Sequence, residues 1–92
     1  MSDIYHRVIH QTDDKQIRLT INEFREVEYL HVREYYLDFE EEWQPSNKGV
    51  AMPLSLENSK EMFAGLLEIL SLAESKELIL ETFSELIEST YQ

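Results

Sequence analysis

Residues 15–52 read KQIRLTINEFREVEYLHVREYYLDFEEEWQPSNKGVAM, and this stretch decides the fold. Apolar and polar side chains alternate from Lys15 onward, and a period of two predicts a β-strand with one buried face. The apolar positions of that strand are Ile17, Leu19 and Ile21. Pro53 directly follows the stretch, and we expect the sheet to stop there because proline cannot donate a ladder hydrogen bond.

Two further strands are predicted within the same stretch. Val27 to Phe39 is a second β-rich run. The link Arg25-Glu26 is short enough for a hairpin, although neither residue favours the positive φ that tight primed turns require. A third strand is expected around Lys48 to Met52, after a polar turn over Glu40 to Asn47. The strands together predict an antiparallel meander.

The two flanks of the stretch differ in character. Residues 1–14 are mostly polar, which predicts a weakly ordered N-terminal arm or a short edge strand. After the stretch, apolar residues recur at helical spacing in two segments. Ser55 is the predicted N-cap of the first helix, and Ser71 with Glu74 has capping-box spacing for the second. The apolar positions of the two segments are Phe63, Leu66, Leu67, Leu70, Ile79, Phe83, Leu86 and Ile87.

The predicted fold class is α+β, with a curved antiparallel sheet of three to four strands followed by a C-terminal helix or helices. We expect the sheet and the first helix to occupy residues 15–73. Residues 74–92 form a C-terminal amphipathic extension in this interpretation. Glutamates spaced four residues apart repel one another on its solvent face. The extension is therefore stable as a helix only if its apolar stripe is buried. A second copy of the chain is the natural partner, which places the extension at a dimer interface.

Composition excludes several classes of protein. The 92 residues contain no cysteine, so disulfides, thiolate catalysis and cysteine-zinc sites are ruled out. No stretch is long and apolar enough for a membrane span, and no membrane partner is expected. We therefore expect a soluble intracellular protein of the cytoplasm, the nucleus or a virus-infected host cell.

No catalytic or metal site is predicted. His6 and His10 have a metal-ligand spacing only within a helix and lack a third ligand, so solvated histidines are the favoured interpretation. Spacing brings no nucleophile or paired carboxylate beside His31, and the acidic run Asp38 to Glu42 lacks the pattern of a calcium loop. The sequence thus indicates a protein that is not an enzyme and uses no cofactor.

The formal net charge of −11 opposes non-specific affinity for phosphate groups. Residues 53–92 carry −6 of this charge and residues 1–52 carry −5. Four acids of the first part, Asp38 and Glu40 to Glu42, crowd into one turn. The remaining strand surface is nearly balanced, so its basic residues can form a local positive groove.

Aromatic and guanidinium side chains lie beside each other on the predicted strands. Strand alternation places Phe24 on the same, polar, side of its strand as Arg18, and tyrosines surround Arg33. Bases stack on aromatic rings with about 1–3 kcal/mol each while cations hold the phosphates, so this pattern suits single-stranded nucleic acid. The alternative is that the tyrosines pack across the strands, and composition alone favours that alternative.

The stretch 15–52 resembles the core domain of the transcriptional coactivator p15/PC4 family. The resemblance rests on REYYLD at residues 33–38 and PSNKGV at residues 45–50, at their mutual spacing, after Phe24 at the end of a strand. It implies a homodimer whose grooves bind single-stranded DNA or melted duplex largely independent of sequence. It also implies a role in transcription, DNA replication or recombination, with proteins of those machineries as further partners.

The same resemblance implies a set of DNA-binding residues. Two of them would stack bases and three would contact phosphate, with two further cations nearby. Gly49 would let its strand pass close to the neighbouring strand. Tyr36 shares the parity of apolar Leu30, so a place in the groove requires a bulge. The stacking residues are Phe24 and Tyr36, the phosphate contacts are Arg25, Arg33 and Lys48, and the nearby cations are Lys15 and Arg18.

The chain departs from the family pattern at several basic positions. Those positions hold Asn22, Val27, Gln44 and Asn47, and Glu26 stands where the first hairpin prefers glycine. Trp43 either replaces the larger aromatic expected at Tyr36 or covers the core. The alternative function is therefore an acidic protein-interaction adaptor with a degenerate DNA groove.

Overall fold

The computed structural model describes residues 3–92 as four strands followed by two helices. The strands form one antiparallel sheet in the order β1-β2-β3-β4, which confirms the predicted α+β class. Among these residues, neither helix is long and apolar enough to cross a membrane. The elements are β1 (Tyr5–Gln11), β2 (Lys15–Phe24), β3 (Val27–Leu37), β4 (Trp43–Pro53), α1 (Leu56–Ser71) and α2 (Lys76–Thr90).

The hairpin of β2 and β3 forms the centre of the sheet. Its register runs without a shift from the pair Lys15 and Tyr36 to the pair Phe24 and Val27. The turn residues Arg25 and Glu26 have φ values of 52° and 66°. Both therefore adopt the left-handed conformation of a primed turn, and the predicted two-residue hairpin is confirmed.

The two edge strands of the sheet are β1 and β4. β1 occupies residues 5–11 of the segment expected as an arm or edge strand and pairs with β2, while residues 1–2 of that segment lie outside the described part. β4 begins at Trp43, so the polar turn predicted over Glu40 to Asn47 is wrong in its second half. Pro45 is compatible with β4 because an edge strand leaves one side of its backbone unpaired.

The shorter turn before β4 is organised by Asp38. Its carboxylate accepts hydrogen bonds from the backbone N–H groups of Glu40 and Glu42, each at 2.9 Å. The hydrogen bond from Glu42 is the largest cause that lowers the pKa of Asp38, and the Glu40 and Gln44 donors add to it. Asp38 thus shapes the acidic turn by accepting hydrogen bonds.

Gly49 allows β4 to approach β3 closely. It pairs with Arg33, next to a register shift between Arg33 and Tyr35. A Cβ atom at Gly49 would lie 2.8 Å from the carbonyl oxygen of Val32, which is too close for any side chain. The close passage predicted for this glycine is confirmed.

The two helices have serine caps. The Ser55 hydroxyl accepts the backbone N–H of Asn58 at 3.0 Å, which confirms the predicted N-cap of α1. The cap predicted for α2 is wrong, because Ser71 is the last residue of α1 and donates to the Glu68 carbonyl at 2.6 Å. Ser75 caps α2 instead and accepts from Leu78 at 3.2 Å.

Much apolar surface lacks a cover within one chain. The chain divides into two units between Asn58 and Ser59, and neither helix has a buried residue. Leu30 and Tyr35 are the buried hydrophobic residues of the described part.

We expect Gly49→Ala to lower the free energy of unfolding by about 1–3 kcal/mol, because the new methyl group overpacks against backbone. Gly65→Ala is the matched control, since its Cβ meets nothing within 4 Å and alanine favours a helix by about 0.5–1 kcal/mol. Urea unfolding measures both variants. Equal stabilities for the Gly49 variant and the wild type would contradict the close approach.

Candidate nucleic-acid interface

One face of the central hairpin is polar, and we call it the polar face. Residues directly opposite in an antiparallel pair share a face, and the unbroken register therefore assigns every side chain of β2 and β3. The opposite face, called the apolar face, contains Ile17, Leu19, Ile21, Leu30 and Val32. The polar face consists of Gln16, Arg18, Thr20, Asn22 and Phe24 from β2 and Val27, Tyr29, His31, Arg33 and Tyr35 from β3.

Arg18 is fixed in place on the polar face. Its Nε donates to the Gln16 side chain at 2.7 Å, and Gln16 in turn donates to Gln11 at 2.8 Å. The guanidinium lies 4.2 Å from the ring centroid of Tyr35, within cation–π range. Gln16 and Tyr35 are both buried, so Arg18 is held before any ligand arrives.

Arg33 lies directly opposite Arg18 in the register. One of its terminal nitrogens donates to the Ser46 carbonyl at 3.0 Å, and the other approaches Nδ1 of His31 at 3.3 Å. Nε2 of His31 lies 3.0 Å from Oδ1 of Asn22. A chain of hydrogen bonds thus joins β4, β3 and β2 across the face.

The two arginines have no acidic partner on their own face. The ten hairpin positions of the polar face include no aspartate or glutamate, because Glu23, Glu28 and Glu34 have the opposite parity. In the described part of the chain, the ion pairs are Lys15 with Glu34 and Lys48 with Glu34, each at 3.9 Å. Like charges directly opposite destabilise a sheet, so an anion bound between Arg18 and Arg33 would relieve their repulsion.

An open cavity of about 270 Å³ lies at the hairpin end of the polar face. Phe24 is half exposed there, and the Arg25 guanidinium lies 5.0 Å from its ring centroid. Aromatic rings, the Asn22 amide and the His31 imidazole therefore line the same space. The lining residues are Asn22, Phe24, Tyr29, His31 and Ala51.

The structure brings some of the predicted binding residues together and separates others. Phe24, Arg18 and Arg33 share the polar face, and Arg25 adjoins it from the turn. Tyr36 pairs with Lys15 and, by strand alternation, belongs to the apolar face. The register shift in this region lies in the pairing of β3 with β4, and the β2–β3 pairing that sets the face of Tyr36 has none.

Lys15 and Lys48 are the two remaining predicted cations. Both approach Glu34, whose parity is that of the apolar face, and both are more than half exposed. Such exposed pairs contribute little energy, so the lysines stay available to another anion. Lys15, Lys48 and Tyr36 form a second patch, distinct from the polar face.

Four polar residues contribute to the site, and the sequence patterns did not single out two of them, Gln16 and Thr20. Gln16, Thr20, Asn22 and His31 have the parity of the polar face, and Gln16 and Thr20 are nearly inaccessible. His6 pairs with Thr20 from β1, so His6 and His31 flank Thr20 in one row. The parity of β2 could have indicated the two buried polar residues. Among the described residues no group of three or more His, Cys, Asp or Glu side chains could hold a metal ion.

Comparisons with known proteins agree on one family. The sequence model for the Transcriptional Coactivator p15 (PC4) matches residues 12–59. A bacteriophage T5 homologue of the eukaryotic transcription coactivator PC4, implicated in recombination-dependent DNA replication, is 30% identical with a TM-score of 0.75. That match covers 94% of this chain and 97% of the phage chain. No curated protein sequence matches.

Two more distant structures share the fold. A PC4 homologue from Burkholderia pseudomallei has a TM-score of 0.61 at 22% identity, over 80% of this chain and 92% of the other. MoSub1, solved in complex with DNA, has a TM-score of 0.52 at 22% identity, over 82% of this chain and 96% of the other.

His31 should make the stability of the protein depend on pH. Burial, and then the charge of Arg33, lower its pKa below the usual 6.5, while the charge of Asp3 acts in the opposite direction. Folding therefore disfavours the protonated ring, so the stabilising contribution is complete above the unfolded pKa and is lost as the pH falls below it. Urea unfolding at pH 7.5 and pH 5.5 should show a larger loss for the wild type than for His31→Gln. Equal losses would contradict this role of His31.

Proposed function

Because the chain belongs to the Transcriptional Coactivator p15 (PC4) family, we propose that it is a non-catalytic protein that binds single-stranded DNA or melted duplex. The ligand is held largely without regard to sequence, mainly by the polar face and additionally by the patch of Lys15, Lys48 and Tyr36. The observation that carries this proposal is a pair of opposed arginines on a hairpin face without acids.

The arrangement of charge answers the objection raised by the net charge of −11. Arg18 and Arg33 are already held by neutral partners, so little side-chain entropy is lost when phosphate binds. Neither guanidinium pairs with a carboxylate in the described part of the chain. The phosphates of a nucleic-acid strand supply the missing anions, and guanidinium groups bind phosphate in bidentate fashion.

Base stacking provides the second component of affinity. Phe24 exposes half of its surface, and the Arg25 guanidinium extends the flat surface beside it. Stacking on such a surface accepts every base, which explains binding without sequence readout. We assign Tyr36, Lys15 and Lys48 to a second contact patch for the same ligand, since Tyr36 is 45% exposed beside two accessible cations.

The known relatives support the class of ligand and a cellular process. The phage T5 homologue is implicated in recombination-dependent DNA replication, and MoSub1 was solved with DNA. We propose a corresponding role in replication, recombination or transcription, in which proteins of that machinery are further partners. Because such a ligand is found inside cells, we propose that the protein acts inside a cell or an infected host cell.

We propose that the functional form is a homodimer in which α1 and α2 meet the partner copy. Large apolar side chains on both helices are exposed, including Phe63 at 65% and Ile87 at 61%. Obligate dimers cover such apolar side chains in interfaces that are more hydrophobic than those of transient complexes. Residues 74–92 act as the interface extension in this assembly.

Fluorescence anisotropy with a labelled dT oligonucleotide and a duplex control tests the DNA proposal. We expect preferential binding of the single strand, with a slope of log affinity against log salt near −3 for about four phosphate contacts. Arg33→Gln and the double variant Phe24→Ala/Tyr36→Ala should each weaken binding about tenfold or more. Arg7→Gln, which removes the same charge from β1 at an apolar-face position, is the control.

Two results would overturn the DNA proposal. One is the absence of binding at low salt. The other is equal DNA affinity of the wild type, Arg33→Gln and Phe24→Ala/Tyr36→Ala. Pull-down of protein partners that survives both nuclease treatment and the groove variants would instead favour the alternative of an acidic adaptor. The net charge of −11 and the uncharged residues at several basic positions of the family pattern favour this alternative.

The dimer proposal is tested by unfolding at several protein concentrations. Dissociation accompanies unfolding of an obligate dimer, so the midpoint should rise as the protein concentration rises. Sedimentation equilibrium should give twice the chain mass of 11.0 kDa. A concentration-independent midpoint together with a monomeric mass would contradict the assembly.

A further inference from the structure

The cavity at the hairpin end of the polar face combines stacking and hydrogen-bonding groups. Phe24 and Tyr29 contribute aromatic rings, while Asn22 and His31 contribute polar edges. Asn22 and Tyr29 are directly opposite in the register, and Ala51 from β4 is too small to fill the space. The opening is wide, and its volume of about 270 Å³ accommodates a flat ring system.

The hydrogen bonds next to this cavity have a fixed direction. Arg33 can only donate, so its contact at 3.3 Å makes Nδ1 of His31 an acceptor. The proton of the neutral ring therefore lies on Nε2, which donates to Oδ1 of Asn22 at 3.0 Å. The lowered pKa of His31 agrees with a neutral ring.

This direction leaves the amide nitrogen of Asn22 as a donor. Its oxygen is occupied by His31, and none of the described residues accepts a hydrogen bond from its two N–H groups. Arg33 thus sets, through His31, which polar group Asn22 presents. A basic side chain at this position would bind the phosphate of any nucleotide, whereas an amide donor can distinguish base edges.

We propose, on the basis of the proposed DNA binding, that this cavity is a base-binding pocket that prefers a base with a carbonyl oxygen at the edge facing Asn22. The base stacks against the Phe24 and Tyr29 rings, and Asn22 donates to its carbonyl. A base with an amino group at that position would place donor against donor and leave both unpaired. The pocket therefore adds a preference for thymine or guanine to binding that is otherwise tolerant of sequence.

The test compares a dT oligonucleotide with a 5-methyl-dC oligonucleotide of the same length. The two bases share size, methyl group and ring stacking, and they differ at ring position 4, which carries a carbonyl or an amino group, and at N3, which is a donor in thymine and an acceptor in 5-methylcytosine. At pH 8 we expect the wild type to bind the dT probe about five- to tenfold more tightly, the value of one well-placed hydrogen bond. Anisotropy titration measures the ratio of the two affinities.

Variants of Asn22 test whether the ratio of the two affinities arises from this pocket. Asn22→Ala should bring the ratio close to one, and Asn22→Asp, which has the same shape, should reverse it because its free oxygen accepts from an amino group. Asn47→Asp makes the same charge change at an exposed position outside the cavity and should keep the wild-type ratio. The ratio is read for each protein separately, so an overall loss of affinity does not affect it.

The outcomes separate the pocket from DNA binding in general. Binding of both probes with equal affinity by the wild type would overturn the pocket while the proposed function stands. A preference that persists unchanged in both Asn22 variants would also overturn it. Failure to bind either probe would overturn the proposed function, and the pocket with it.

Discussion

The uninterrupted register between β2 and β3 is the constraint on which the site depends. Ten consecutive pairs fix the face of every side chain in the hairpin. A slip of one residue would move the whole apolar set to the other side of the sheet. Such a slip of β3 against β2 would also separate Arg18 from Arg33 and bring Glu28 and Glu34 onto the face of Arg18. The same register therefore both buries the apolar side chains of the hairpin and keeps the two arginines together on a face without acids.

The hairpin turn and Gly49 preserve that register from both sides. Arg25 and Glu26 adopt positive φ, which costs non-glycine residues about 1–2 kcal/mol each. The chain tolerates this strain because the two-residue link sets the pairing of the strands. On the other side of β3, Gly49 brings β4 close enough for the Ser46 carbonyl to accept from Arg33.

Periodicity predicted the elements well, and it predicted the faces of Phe24, Arg18 and Arg33, because β2 and β3 alternate regularly. It failed where side-chain contacts override local pattern. The Asp38 carboxylate ends the turn early, so β4 begins before Pro45, and Ser75 replaces Ser71 as the cap of α2. The roles of Asn22 and His31 depend on cross-strand neighbours, and no local spacing reveals them.

An anionic protein can bind an anionic polymer when distance separates the two kinds of charge. At physiological ionic strength the Debye length is about 8 Å, so carboxylates across the sheet act weakly on a ligand at the polar face. The arginines act at contact distance and are not screened in this way. As salt is removed, the screening length grows to about 30 Å and the net charge of −11 opposes approach. In the proposed complex, the local segregation of charge therefore sets the affinity, and the total charge limits the rate of association.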